Sequence, residues 1–187
     1  MKESRKRFYE TDQKQRNSAV RKYWKEDIPD VKGKAESFNQ RTGREEVSIV
    51  ILVLADRIKA LPKRLRELSD TMERGTFEIN IVLADPKNLD ISTRGEIVAE
   101  IKKLNCPVKL IDSKKNTISI NRNLGSSESS GKYIVFLDDD VRLSKRTIPL
   151  MVEALRKHPE LGLTQAVTYD GKTGALDRPK TWFSKFV

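Results

Sequence analysis

From residue 46 onward, apolar and polar positions alternate between two rhythms. The first apolar run, EVSIVILVLA, is continuous and rich in β-branched residues, the pattern of a strand covered on both faces. Pro62 then opens PKRLRELSDTMERG, in which Leu65, Leu68 and Met72 form a helical stripe and Gly75 supplies a stop. FEINIVLAD repeats the strand signal, and Thr93 with Glu96 makes a capping-box pattern ahead of Ile97, Val98, Ile101 and Leu104. PVKLID, residues 107–112, predicts a third strand, TISINRNLGSSESSG a short helix, and YIVFLD a fourth strand. A helix from about Ser144 to His158 and a fifth strand in LGLTQAVTYD complete the pattern. This alternation predicts an α/β fold with a mostly parallel sheet and helices on both faces. No internal repeat or low-complexity segment interrupts it.

Composition adds boundaries to that picture. The chain has 187 residues, 37% hydrophobic and 34% charged, enough for a domain with a real core. Its longest apolar run, VSIVILVLA, is far shorter than the roughly 20 residues of a membrane span. No apolar stretch follows the basic start MKESRKRF, and the single Cys106 excludes an intrachain disulfide, so a reducing, cytoplasmic setting is expected.

The formal net charge is +10, and residues 1–45 contribute half of it, with 13 Lys/Arg against 8 Asp/Glu. That segment reads as a basic, helical N-terminal extension ahead of a domain at 46–187. Val20, Tyr23 and Trp24 lie at helical spacing in SAVRKYWKE with basic flanks, a pattern that suits docking on the domain, a membrane surface or a partner protein. Nucleic acid is disfavoured, since the aromatic-and-glycine pattern of an RNA-binding sheet is missing. At the other end, RPKTWFSKFV places Trp182, Phe183 and Phe186 together, an apolar end suited to an oligomer contact.

Candidate chemistry lies where the strands end. Ligands of open parallel sheets bind at the carboxyl ends of the strands, and acids fall there: Asp56 after the first strand, Asp85 after the second, Asp112 after the third, and Asp138, Asp139 and Asp140 after the fourth. At about 4–7 Å and an effective dielectric near 20, each ionised pair repels by about 2–4 kcal/mol, so three consecutive carboxylates call for positive charge. Strand alternation would turn Asp138 and Asp140 to one side and Asp139 to the other. A hard cation, Mn²⁺ or Mg²⁺, which takes one or two protein carboxylates and completes its shell with water and phosphate, suits such a pair. Upstream, Ser119, Arg122, Asn123 and Gly125 form S-x-x-R-N-x-G, and Arg122 is placed to meet a phosphate in the same crevice. Solvated turn aspartates and an exposed helix arginine are the plainer alternative. A phosphatase of the haloacid dehalogenase type would also use D-x-D-x-[TV], but Arg142 stands where its Thr or Val is required.

VSIVILVLADR, NIVLADPKNLD and SINRNLGSSESSGKYIVFLDDDV together resemble the nucleotide-binding half of the family 2 glycosyltransferases, which have a Rossmann-like GT-A fold. The resemblance spans about residues 46–170 and is most specific from Ser119 to Asp140. It implies a nucleotide-diphosphate sugar as ligand, with Asp85 at the base, Val53 in place of a threonine lining the base pocket, and Arg122 near the diphosphate. It further implies Asp138 at the ribose or the metal, Asp140 as metal ligand, and Asp139 able to share either task; Asp56 and Ser119 belong to the same nucleotide-sugar set. The chain departs from the family at Leu52, Val53, Leu54 and Ala55, where P-T-Y-N is usual, and at Pro86 and Lys87, where an aspartate and a glycine are usual. An inverting transferase also needs a carboxylate general base. After the fourth strand only Asp170 and Asp177 are candidates, and neither matches a family motif, so truncation before the acceptor half, or completion by a partner chain, is expected. A non-catalytic module that binds nucleotide or a partner is the alternative function.

Overall fold

A computed structural model describes residues 33–40, 45–71, 77–173 and 175–177. The expected helix at SAVRKYWKE, the stop at Gly75, Met72 and the aromatic end RPKTWFSKFV lie outside the described residues. The chain divides into two compact units, one ending at Val141 and the other beginning at Arg142. No helix among the described residues is long and apolar enough to cross a membrane.

The first unit is built on a five-stranded sheet. Strands β1 (Lys34–Phe38), β2 (Val47–Val53), β3 (Phe77–Ala84), β4 (Val108–Ser113) and β5 (Tyr133–Asp138) lie in the order β1-β4-β3-β2-β5. β2 to β5 are parallel, and β1 pairs antiparallel with β4. Every residue of β2 is buried because both of its faces are covered, as its unbroken apolar run predicts. Register puts Ile49, Ile51 and Val53 beside Ile79, Ile81 and Leu83 on one face, and Val50 and Leu52 beside Asn80 and Val82 on the other.

Helices α1 (Leu61–Thr71) and α2 (Ile91–Lys103) connect β2 to β3 and β3 to β4, moving in one direction across the sheet. Helix α3 (Ile118–Ser127) then carries the chain back past β3 and β2 to β5. Right-handed crossovers therefore put α1 and α2 on one face and α3 on the other. Arg66 of α1 pairs with Glu100 of α2 at 2.9 Å, consistent with the two lying side by side. On the opposite face Gly125 brings α3 close to the sheet: a Cβ at this residue would lie 2.4 Å from Val50 Cγ1 and 3.1 Å from Val82 Cγ2. The glycine of S-x-x-R-N-x-G is thus a packing requirement.

Two local expectations are corrected in this unit. Lys34–Phe38, assigned by sequence to a helical extension, is the edge strand β1, whose short and half-exposed KAESF carries too few apolar residues to signal a strand. Asn39, at φ 51°, follows it and donates from Nδ2 to the carbonyls of Ile101 and Leu104, both at 2.9 Å, closing the end of α2. Helix α2 itself begins at Ile91, capped by Asp90, whose carboxylate accepts from Thr93 N at 2.7 Å and Thr93 Oγ1 at 2.8 Å. Thr93 is therefore inside the first turn and does not cap the helix, because Asp90 offers an acceptor closer to the free N–H groups.

The second unit holds helix α4 (Thr147–Lys157) and a two-stranded antiparallel sheet of β6 (Thr168–Tyr169) and β7 (Leu176–Asp177). Helix α4 starts three residues later than expected, after a turn in which Thr147 N donates to Ser144 O at 3.1 Å. The fifth strand expected in LGLTQAVTYD is reduced to β6, and Leu163 and Val167 are exposed. Asp170 decides this outcome: its Oδ1 accepts from Lys172 N, Thr173 N and Thr173 Oγ1 at 2.8, 2.7 and 3.0 Å, folding the chain into a hairpin.

At the amino ends of the parallel strands a buried polar network ties α3 to the sheet. Glu78 Oε1 accepts from Ser48 Oγ at 2.7 Å, Ser130 N at 2.6 Å and Ser130 Oγ at 2.9 Å. Ser48 Oγ in turn accepts from Gly131 N at 2.8 Å. Burial pushes the Glu78 carboxyl up, but the Ser130 and Ser48 donors and nearby Lys109 outweigh it, leaving the group below its usual range.

Two predictions follow from this packing. Gly125→Ala should destabilise the protein by about 1–3 kcal/mol in denaturant melts, the usual cost of overpacking, and should couple less than additively with Val50→Ala. Because the Glu78 carboxyl is depressed on folding, its stabilisation is complete above the unfolded carboxylate range and is lost as pH falls through the lower folded value. As pH falls below the ordinary glutamate range, the wild type should therefore lose denaturant resistance more steeply than Glu78→Gln, which should be less stable than the wild type at pH 7. Parallel pH profiles for the two proteins would exclude Glu78 as the source.

Candidate functional site

The order of the strands defines a crevice. The parallel part of the sheet starts at β2, winds through β3 and β4 to one side, and returns to β5 on the other, so the topological switch lies between β2 and β5. In open α/β sheets ligands bind outside the carboxyl ends of the strands at this point. The loop after β2, with Asp56 and Arg57, and the end of β5, with Asp138 to Asp140, flank it.

Asp138 is the last residue of β5, and Asp139 and Asp140 form the turn that follows. Strand alternation therefore stops at Asp138, and Asp140 shares its arginine with Asp139, whereas Asp138 meets another. Arg57 Nη1 bridges Asp139 Oδ1 at 2.9 Å and Asp140 Oδ2 at 2.8 Å. Hydrogen bonding to Asp139 and its charge, then the same from Asp140, push the Arg57 guanidinium above its usual range. Arg64, from α1, donates from Nε to the Asp139 carbonyl at 2.5 Å and from Nη2 to the Val141 carbonyl. One arginine thus holds the carboxylates and the other holds the backbone. The side chain of Asp139 is only 11% exposed, whereas those of Asp138 and Asp140 are 57% and 64% exposed and open to a ligand.

Asp138 has a separate partner. Arg122 Nη2 lies 2.6 Å from Asp138 Oδ1, and its guanidinium lies 5.8 Å from the centre of the Phe136 ring. Register puts Phe136 and Asp138 on the sheet face of Val50 and Leu52, the face that α3 covers, so helix and strand bring the two charges together. Ser119 is exposed one turn before Arg122. Asn121 is buried, donates from Nδ2 to the Lys115 carbonyl at 2.8 Å, and fastens the start of α3.

Asp85 adopts the left-handed conformation, φ 50° and ψ 60°, and leads into a 3-10 turn at Pro86–Asn88. The turn that usually relies on a glycine is built by the aspartate itself, at a strain of order 1–3 kcal/mol. One of its carboxylate oxygens, Oδ1, is buried without a hydrogen bond among the described residues, with Lys87 Nζ 3.5 Å away. Val53 is fully enclosed within the sheet, so its side chain is a core residue and offers no surface to a base. Asp56 is exposed at the rim. Asp112 is engaged elsewhere: Arg94 Nη1 holds both of its oxygens, at 3.1 and 2.9 Å, and Arg94 Nη2 holds Glu36 at 2.9 Å.

Among the described residues no three His, Cys, Asp or Glu side chains form a ready-made metal cage. The donors at the end of β5 still fit Mn²⁺ or Mg²⁺, which takes one or two protein carboxylates and leaves the rest of its shell to water and phosphate. They are hard oxygens, two of the three aspartates are well exposed, and oxygens of Asp139 and Asp140 converge on one cationic nitrogen. Arg57 and Arg64 were not singled out by the sequence reading. The available signal was charge: the acids needed neutralising, and Arg57 follows the strand next to theirs.

A family model described as Glycosyl transferase family 2 matches residues 48–186. No curated protein sequence matches the chain significantly. Among solved structures, the chain is similar to S. aureus TarS 1-349, with 14% identity and a TM-score of 0.49, over 70% of this chain and 43% of that one. It is also similar to a second structure of S. aureus TarS, with 15% identity and a TM-score of 0.41, over 61% of this chain and 20% of that one. The chain therefore spans less than half the length of either of these two solved structures. The family match begins in β2 and takes in every element of the switch-point crevice, and on that basis the chain belongs to glycosyl transferase family 2.

Proposed function

We propose that this chain is the donor-binding part of an inverting family 2 glycosyltransferase, and that it takes a nucleotide-diphosphate sugar with a divalent cation at Asp138 and Asp140. The observation that carries this reading is the meeting of exposed acids and Arg122 at the switch point between β2 and β5. Asp138 and Asp140 would hold Mn²⁺ or Mg²⁺, which when bound supplies Lewis-acid neutralisation of the departing diphosphate. Arg122 shares that charge from α3, its planar fork suited to phosphate oxygens. Asp85, with an unsatisfied buried oxygen, offers an acceptor to an N–H of the base. Exposed Ser119 and Asp56 supply polar groups at the rim.

Transfer also needs a base for the acceptor hydroxyl. Asp170 is poorly suited: backbone N–H groups of Thr173 and Lys172, with the Thr173 hydroxyl, hold its carboxyl below the usual range. A carboxylate so stabilised gives up little on remaining unprotonated and takes a proton weakly. The basic N-terminal segment and the aromatic C-terminal segment are proposed as contact surfaces for a membrane, a partner protein or a second copy.

Calorimetry with a panel of nucleoside diphosphates, with and without Mn²⁺, tests the site. At least one diphosphate should bind in a metal-dependent way, and Asp140→Asn should abolish that binding while leaving the metal-free melting temperature within a few degrees. Tight binding of none, alongside binding to anionic vesicles, would favour the non-catalytic module. With labelled donor, this chain alone should show slow hydrolysis and transfer slower by at least the 10²- to 10⁴-fold that a general base contributes. Robust transfer to a defined acceptor would show that the chain carries its own base.

A further inference from the structure

The contact that the donor-site reading leaves unused is the Arg57 bridge. A single nitrogen, Nη1, stands between oxygens of two carboxylates from consecutive residues, at 2.9 and 2.8 Å. That is the location a small cation would take to be shared by the same oxygens. A guanidinium stays charged at any working pH, so it cannot be neutralised out of the way. Metal–oxygen distances of about 2.0–2.1 Å for Mg²⁺ leave no room for an N–H donor directed at the same lone pairs.

We infer that Arg57 is the resident counter-ion of the acidic turn and has to leave its bridge to Asp139 and Asp140 before a divalent cation can bind at Asp140. The surrounding contacts suit such an exchange. Arg57 is in a loop and about half exposed, so it can swing into water. The turn does not depend on Arg57 for its shape, because Arg64 holds the Asp139 and Val141 carbonyls and makes no bond to either carboxylate side chain. Arg122 is engaged with Asp138 and stays with α3. The acids are thereby kept together and neutralised before the metal arrives, and affinity for the metal is set partly by how readily Arg57 departs. This inference rests on the metal-site reading proposed above.

The test is titration of the full chain with MnCl₂ in the absence of nucleotide. Arg57→Gln should bind Mn²⁺ about three- to tenfold more tightly than the wild type, the scale expected for releasing the two ion pairs of a half-exposed guanidinium. Lys63→Gln, which removes an exposed charge from the first turn of α1, should stay within about twofold of the wild type if release of the specific bridge is the cause. Unchanged or weaker binding by Arg57→Gln, or an equal gain in Lys63→Gln, would overturn the inference while wild-type binding lost in Asp140→Asn leaves the metal site standing. Absence of Mn²⁺ binding in the wild type and Arg57→Gln alike would overturn both. Should Arg57→Gln fold poorly, the wild-type guanidinium resonances give a second readout: saturating Mg²⁺ should move the Arg57 signals to those of a free, rapidly rotating side chain, and signals unmoved by Mg²⁺ would overturn the exchange.

Discussion

Like-charge repulsion at the end of β5 is the constraint around which the site is arranged. Asp138, Asp139 and Asp140 follow one another along the chain, and each ionised pair costs about 2–4 kcal/mol at an intermediate dielectric. Their partners come from separate elements: Arg122 from α3, Arg57 from the loop after β2, and Arg64 from α1 onto the backbone. Each element reaches the site only because β5 adds next to β2, on the far side from β3 and β4. The strand order is therefore what makes an otherwise repulsive sequence compatible with a folded protein.

The two ends of the sheet divide the work. At the carboxyl ends, polar groups remain open or incompletely paired, as with Asp138, Asp140 and the buried oxygen of Asp85. At the amino ends, Glu78 takes donors from Ser48 and Ser130 while Gly131 donates to Ser48, so the connection from α3 into β5 is closed by satisfied hydrogen bonds. Gly125 seats α3 against Val50 and Val82 between these ends. A helix fastened in this way can present Arg122 without relying on Asp138 for its position. Close packing and an exposed charge are thus carried by different residues, Gly125 and Arg122, of the same S-x-x-R-N-x-G segment.

Much of this was legible in the sequence. The unbroken apolar runs at β2 and β3 declared strands covered on both faces, the stripe at Leu65 and Leu68 declared a helix, and their alternation declared a parallel sheet, because burial imposes a period that the chain must carry locally. The acids were legible as a rim for the same reason: a carboxylate following a buried strand emerges where the strand does. Residue types and spacing from Ser119 to Asp140 also carried the family, which the match over residues 48–186 shows.

Tertiary structure decided what no period encodes. KAESF became strand β1 by pairing with β4, and LGLTQAVTYD lost most of its expected strand to the turn at Asp170, since edge pairing and side-chain-to-backbone bonds depend on partners rather than on local alternation. Val53 aligned with a family ligand position yet is enclosed in the core. Asp112 followed a strand like the other acids yet is held by Arg94. Which carboxylate meets which arginine depends on the turn that begins after Asp138 and on loops that approach it from β2 and α1. Charges attract across space without regard to sequence separation, so the chain alone could establish that the acids need cations, and only the fold could assign them Arg57, Arg64 and Arg122.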